Sequence, residues 1–160
     1  MWFCNILGAK VEYKKYIIQI VITLMSLSCV FTQTNTGSIT IEVKGLKSDK
    51  GQARILLFKK GQEKYYPSED EKAFKRDVVQ IKNKKVVFTY KNISIGNYAI
   101  SVHHDEDKND KVNTNFIGIP KESLGASNDA KGNFGPPSFE KAKFILKSSE
   151  IKLIINMVHP

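Results

Sequence analysis

Oxygen-bearing side chains alternate along one short polar stretch, in the order Asp105, Asp107 and Asn109. A tightly turning loop with this D-x-D-x-N spacing points several oxygens inward, and calcium prefers such hard ligands. Asn113 stands at the ninth position of such a loop, and Glu122 could supply a closing carboxylate if the chain folds back. The spacing therefore predicts a calcium site, and Ca²⁺ is the one cofactor that these residues suggest.

Two positions of the same stretch depart from a standard calcium loop. Asp110 occupies the sixth position, where glycine is expected, and Phe116 occupies the twelfth, where a bidentate glutamate normally closes the loop. Asp and Asn also favour turns in which the side chain bonds the nearby backbone. A solvated turn rich in Asp and Asn is therefore the competing interpretation of these residues.

Adjacent histidines, His103 and His104, precede the acidic stretch. Neighbouring residues of a strand face opposite sides, so the two cannot bind one ion without a bulge. His104 has the core-side parity, which favours a hydrogen-bonding role. A hydrolase-type enzyme centred on His104 and Asp105 is the less favoured alternative, because Ser127, the available nucleophile, lacks a nucleophile-elbow sequence. The sequence thus favours a noncatalytic protein.

A second candidate surface is the stretch "GNFGPPSF", in which glycines and prolines fix the backbone path between Phe134 and Phe139. This stretch is either a rigid corner with two core anchors or an aromatic platform for a glycan or peptide. The candidate ligand-binding residues are His104, Asn128, Phe134 and Phe139.

Seven strands are predicted to position these residues. They are marked by period-two alternation or by short apolar runs between turn residues. In order they are "SITIEVKGL", "QARILLFKK", "VVQIK", "KVVFTYK", "NISIGNYAISVHH", "AKFILK" and "EIKLIINMV". This pattern, with almost no helix, predicts an all-β, seven-stranded antiparallel β-sandwich whose first two strands form a hairpin.

The stretch between the fifth and sixth predicted strands is long and has little strand or helix pattern. Its apolar residues are spread along it and are expected to need burial. They are Phe116, Ile117, Ile119, Leu124, Phe134 and Phe139. The sequence therefore predicts an ordered loop cap, residues 105–137, over one end of the sandwich.

The combination "GQARILLF", "GNYAISVHHDEDKND", "FIGIPKE", "SN" and "FGPPSFEKAKF", in this order, resembles the DUF2141 family of exported bacterial proteins. The segment "ISIGNYAISV" resembles the start of a strand in transthyretin-like (prealbumin-like) and Cna-B-like sandwiches. The resemblance implies that fold and an exported location, but no reaction. It also implies Asn-Gly at 109–110 and Asp at 113, and this sequence departs from the family at Asp110 and Asn113.

Residues 1–33 are predicted to be a secretory signal, because lysines precede an apolar run that is shorter than a bilayer span. Lipidation of Cys29 within "SLSC" is an alternative to cleavage after Thr32, and an uncleaved N-terminal anchor is a further one. Both cysteines lie in this segment, so residues 34–160 have no disulfide. The predicted location is the periplasm, the cell surface or the medium.

Residues 34–160 carry 22 Lys and Arg against 15 Asp and Glu, a difference of +7. Such a charge favours anionic surfaces. The lysines are scattered rather than clustered with aromatics, so nucleic acid is not an expected partner. The sequence predicts a monomer that contacts an envelope ligand or protein through the cap and meets the membrane only through its N-terminus.

Overall fold

The computed structural model describes residues 35–133, 135–147 and 149–160. The predicted signal, with Cys29, and the predicted platform residue Phe134 lie outside the described residues. Within them no helix is long and apolar enough to cross a membrane.

In the described part of the chain, eight strands form two sheets. In chain order they are β1 (Thr36–Lys44), β2 (Gln52–Lys59), β3 (Lys75–Val79), β4 (Val86–Ser94), β5 (Gly96–Asp105), β6 (Leu124–Ala126), β7 (Phe144–Leu146) and β8 (Glu150–Asn156). The smaller sheet has the order β4-β1-β8. The larger has the order β3-β2-β5-β6, and β7 pairs with β5 beside β6. The all-β prediction is therefore confirmed.

The strand count and the pairing differ from the prediction. Each of the seven predicted strands overlaps an observed strand, but β3 spans Lys75–Val79 whereas "VVQIK" covers residues 78–82. In addition, β6 is an eighth strand, and β1 pairs with β8 in parallel rather than antiparallel. The predicted hairpin of β1 with β2 is wrong, because these strands lie in different sheets. A turn between two apolar runs does not specify whether the chain pairs back or crosses to the facing sheet.

The main core lies between the two sheets. The alternation in β1 places Ile39, Ile41 and Val43 on the inner face, where all three are fully buried. They pack against the inner residues of β2 and β5, including Ile55 and Ile100.

A second apolar cluster covers the outer face of the larger sheet. Phe58 packs edge-on against Tyr66, which packs edge-on against Phe139. Phe139 begins a one-turn helix, α1 (Phe139–Ala142), and the Ser138 hydroxyl caps it by accepting a hydrogen bond from the Lys141 N–H. Residues Tyr98–Asp105 of β5 are therefore buried on both faces, and β5 delivers the chain into the cap from the centre of the fold.

Candidate functional site

Asp105, the last residue of β5, begins the cap and is fully buried. One carboxylate oxygen accepts hydrogen bonds from the Gln52 side chain at 2.9 Å and from the Asp110 N–H at 3.1 Å. The other accepts from the Asn109 N–H at 3.1 Å. The carboxylate thus fixes the loop that follows it to the first residue of β2.

Glu122 holds the returning arm of the cap in the same way. It is 5% exposed, and one oxygen accepts a hydrogen bond from the Glu106 N–H at 3.0 Å. The other accepts from the Asn113 N–H at 2.9 Å and contacts His103 Nε2 at 2.9 Å. Two buried carboxylates therefore satisfy backbone donors of a loop that has no regular hydrogen-bonded structure of its own.

Asp107 completes the cluster from the exposed side. One of its oxygens accepts from the Asn109 N–H at 3.2 Å. The other accepts from the side-chain amides of Asn109 at 3.0 Å and Asn113 at 2.8 Å. The Asn109 side-chain oxygen in turn accepts from the Lys111 N–H at 2.7 Å. The bonds from the Asn109 and Lys111 N–H groups, each to a side chain two residues earlier, are the backbone-bonding turns that Asp and Asn favour.

The five side chains predicted as metal ligands are therefore brought together. Asp105, Asp107 and Glu122 each offer a ligand atom, and these atoms lie within 4.8 Å of one another. The oxygen donor set fits calcium, but the amide nitrogens of Asn109 and Asn113 point towards Asp107. A cation here would require both amides to rotate so that their oxygens face inward.

The backbone forms the tight turn without the expected glycine. Asp110 has φ +66°, and Lys108 has φ +61°, so both lie in the left-handed region. Asp tolerates this conformation better than most residues, because its short side chain can bond the local backbone. An ion pair from Arg54 to Asp110 anchors the turn to β2, and Arg54 also pairs with Asp70.

Burial is the largest single influence on the pKa of Asp105 and of Glu122, and it acts to raise both. The hydrogen bonds that each carboxylate accepts act in the opposite direction, and the electrostatic interaction with nearby His103 adds to them. Their sum holds the pKa of both carboxyls below the usual range. Both groups are therefore ionised at neutral pH, and the centre of the cap carries negative charge.

An open cleft of about 410 Å³ lies on this cluster. Its lining combines acidic, amide and basic side chains from the cap with one lysine of the β1–β2 loop. The lining residues are Lys47, Glu106, Asp107, Asn113, Thr114, Lys121 and Glu122. We call this the cap cleft. Its mixed charges suit a polar ligand better than an apolar one.

The predicted ligand-binding residues do not meet at the cap cleft. His104 is fully buried and bonds the Lys50 carbonyl at 2.9 Å. The Asn128 amide donates to the Lys143 carbonyl at 2.8 Å, and Phe139 is buried against Tyr66. None of the three lines the cap cleft, and each contact is structural in kind.

Ser127 is likewise engaged by the fold. Its buried hydroxyl donates to the Ala142 carbonyl at 2.6 Å and accepts from the Ile100 N–H at 2.9 Å. Two contacts were not foreseen from the sequence, the His103–Glu122 pair and a 2.6 Å contact between Ser123 Oγ and His159 Nδ1. Neither has a local sequence signal, because the partners come from separate segments.

The expectation that the cap's apolar residues are buried holds for Phe139 but is wrong for three others. Phe116 is 98% exposed, Ile117 64% and Ile119 50%. They stand at the tip of a turn that projects from the cap, so no described residues cover them.

The fold and the site define a two-sheet β-sandwich domain whose polar cap is held by buried carboxylates. A family model described as an uncharacterized protein conserved in bacteria, DUF2141, matches residues 41–153. The chain belongs to this family. No curated protein and no solved structure matches it.

Proposed function

We propose that this protein is an exported, noncatalytic binding module of the bacterial envelope, and that its ligand or partner contacts the cap. The observation that carries the proposal is the cap cleft, which lies on a loop fixed by the buried carboxylates of Asp105 and Glu122. A loop held in this way has its backbone ordered before binding, so binding costs little backbone ordering.

A noncatalytic role is supported by the engagement of the reactive side chains. The buried imidazole of His104 bonds a backbone carbonyl, and the Ser127 hydroxyl is enclosed by backbone partners. His103 contacts Glu122, which itself holds the loop. A general base needs to reach a substrate proton, and these groups face the protein.

Export is supported by the order of residues 1–33, where lysines, an apolar run and small residues follow one another.

A transthyretin-like assignment of the sandwich belongs to the same proposal. It is supported by Tyr98, two residues after Gly96, which is buried and donates its hydroxyl proton to the Ser94 carbonyl at 2.8 Å.

The proposal is tested by retention of the chain from Thr34 on purified peptidoglycan, envelope polysaccharide and lipid vesicles. The cleft variant Asp107→Asn/Lys121→Ala removes one acid and one lysine that line the cap cleft. The control Glu71→Gln/Lys152→Ala removes the same charges from exposed positions outside the cap. We expect the native chain to be retained on one of these fractions. Its retention should fall at least about fivefold in the cleft variant and stay unchanged in the control. Equal retention of both variants would sink the proposal.

A second candidate function is calcium binding by the same cluster. Three carboxylate ligand atoms within 4.8 Å and the left-handed turn at Asp110 favour it. The hydrogen bonds that these oxygens already accept favour a purely structural loop instead.

Thermal unfolding distinguishes calcium binding from a purely structural role of the loop. Calcium that binds only the folded chain stabilises it by about 2.7 kcal/mol at a hundredfold excess over Kd. We expect the thermal midpoint to be higher in millimolar calcium than in EDTA for the chain from Thr34. Asp107→Asn should abolish the rise, and Glu71→Gln should keep it. A midpoint that calcium leaves unmoved removes this candidate.

A further inference from the structure

Three apolar side chains project from the cap into solvent. Phe116, Ile117 and Ile119 are 98%, 64% and 50% exposed. Exposed apolar side chains are ordinary when scattered singly, but adjacent ones on one projecting turn mark a contact surface. We call residues 116–119 the apolar tip.

The apolar tip is held in a preformed turn. The Asn115 N–H donates to the Ile119 carbonyl at 2.8 Å, and the Gly118 N–H donates to the Asn115 carbonyl at 3.0 Å. The Asn115 side-chain oxygen accepts from the Ile117 N–H at 3.0 Å and the Ile119 N–H at 2.9 Å. Gly118 has φ +83°, which a glycine adopts without strain. The backbone of the tip is therefore already ordered before binding, which lowers the ordering cost.

The arm that carries the tip, residues 111–121, holds two lysines and no acid. The acids of the cap lie outside this arm, and Asp105 and Glu122 among them are buried. The two lysines, Lys111 and Lys121, are both exposed and flank the apolar tip in the chain. This arm is therefore suited to an anionic surface.

We propose that the apolar tip inserts into the headgroup boundary of an anionic lipid bilayer while the flanking Lys111 and Lys121 contact lipid phosphates. A convex group of Phe and Ile needs no pre-shaped pocket in a bilayer, and aromatic and aliphatic side chains flanked by lysines are the composition of interfacial anchors. The inference rests on the proposed function, because it names the partner class that the cap contacts.

The test uses the chain from Thr34, because residues 35–160 form a compact unit with their own core. This chain has no tryptophan, since the single one is Trp2. Phe116→Trp therefore introduces the only indole at the tip, and Val87→Trp introduces it at an exposed position of β4. The probes are vesicles of phosphatidylcholine alone and of phosphatidylcholine with phosphatidylglycerol.

We expect a blue shift and quenching by brominated lipid for the tryptophan at 116, and neither change for the one at 87. In sedimentation, Phe116→Ser/Ile117→Ser should lower partition onto anionic vesicles at least about tenfold. Val87→Ser should leave it unchanged, and neutral vesicles should bind more weakly than anionic ones. Thermal midpoints of all variants check that the fold is kept.

No binding of the native sequence to anionic vesicles, or equal partition of the tip and control variants, would overturn the inference. Retention on peptidoglycan or polysaccharide that depends on the cap cleft but not on the tip would leave the proposed function standing while overturning the membrane contact. Loss of retention on every fraction together with absent vesicle binding would overturn both.

Discussion

The Nε2 atom of His103 lies 2.9 Å from a carboxylate oxygen of Glu122, and this contact joins the end of β5 to the returning arm of the cap. Glu122 also accepts the N–H groups of Glu106 and Asn113, so one buried side chain fixes both arms of the acidic loop. Asp105 does the same for the turn between them. The order of the cap therefore depends on two acids as much as on apolar burial.

Glu122→Ala should be strongly destabilising. It leaves two backbone N–H groups and the buried His103 without their acceptor, and each such loss costs about 1–3 kcal/mol. We expect the free energy of unfolding in urea to fall by about 2–4 kcal/mol. Glu140→Ala, an exposed acid of α1, should change it by less than about 0.5 kcal/mol. A small effect of Glu122→Ala would contradict the role assigned to this carboxylate.

Gly51→Ala tests how closely the β1–β2 loop approaches the cap. A Cβ at Gly51 would stand 2.1 Å from the Asp105 carbonyl oxygen, and φ there is +78°. Gly61 also has positive φ, +95°, but nothing lies within 4 Å. Gly61→Ala should cost about 1 kcal/mol of backbone strain, and Gly51→Ala should cost at least about 2 kcal/mol more. Equal losses in denaturant unfolding would show that the close approach is absent.

Stability should fall as the pH drops below about 4. The folded pKa values of Asp105 and Glu122 lie below their unfolded values of about 4, so their contribution is present above that pH and is lost as pH falls through the folded values. In the double variant Asp105→Asn/Glu122→Gln, this part of the decrease in unfolding free energy with falling pH should be absent. Unfolding free energies from pH 6 to pH 2.5, roughly the range in which carboxyls titrate, measure it. Parallel curves for the two chains would contradict the prediction.

Substitution by alanine should strongly destabilise the domain at Phe139 and have almost no effect at Phe116. Phe139 is 3% exposed and packs on Tyr66, so Phe139→Ala should destabilise by about 3–5 kcal/mol. Phe116 is 98% exposed, and Phe116→Ala should be within about 0.5 kcal/mol of the native chain. Thermal and urea unfolding of the two variants measure these changes in stability. A large loss at Phe116 would mean that the tip is packed against the domain.

The strands and the residues of the acidic cluster could largely be predicted from the sequence. Alternation fixes which residues of β1 face the core, and the same parity places His104 on the inner face of β5. The spacing of Asp105, Asp107 and Asn109 foretells a tight polar turn. The sequence predicts that Glu122 lies near these residues only if the chain folds back.

Other features had no local signal. β6 is three residues long and too short for periodicity, and the parallel pairing of β1 with β8 joins opposite ends of the domain. The partners of the buried carboxylates, Gln52 and His103, come from other strands. Apolar composition alone did not separate buried Phe139 from exposed Phe116, because exposure depends on where the turn projects.

The central claim is that the cap, residues 105–137, is the binding surface of the domain. The most direct measurement is backbone amide NMR of the isotopically labelled chain from Thr34, titrated with soluble fragments or small bicelles prepared from whichever envelope fraction retains it. The account predicts that the shifted amides fall in the cap and the β1–β2 loop, while those of Val86–Ser94 stay in place. Shifts confined to β4 or β8, with the amides of Asp105–Asn113 and Lys121–Glu122 unmoved, would contradict it.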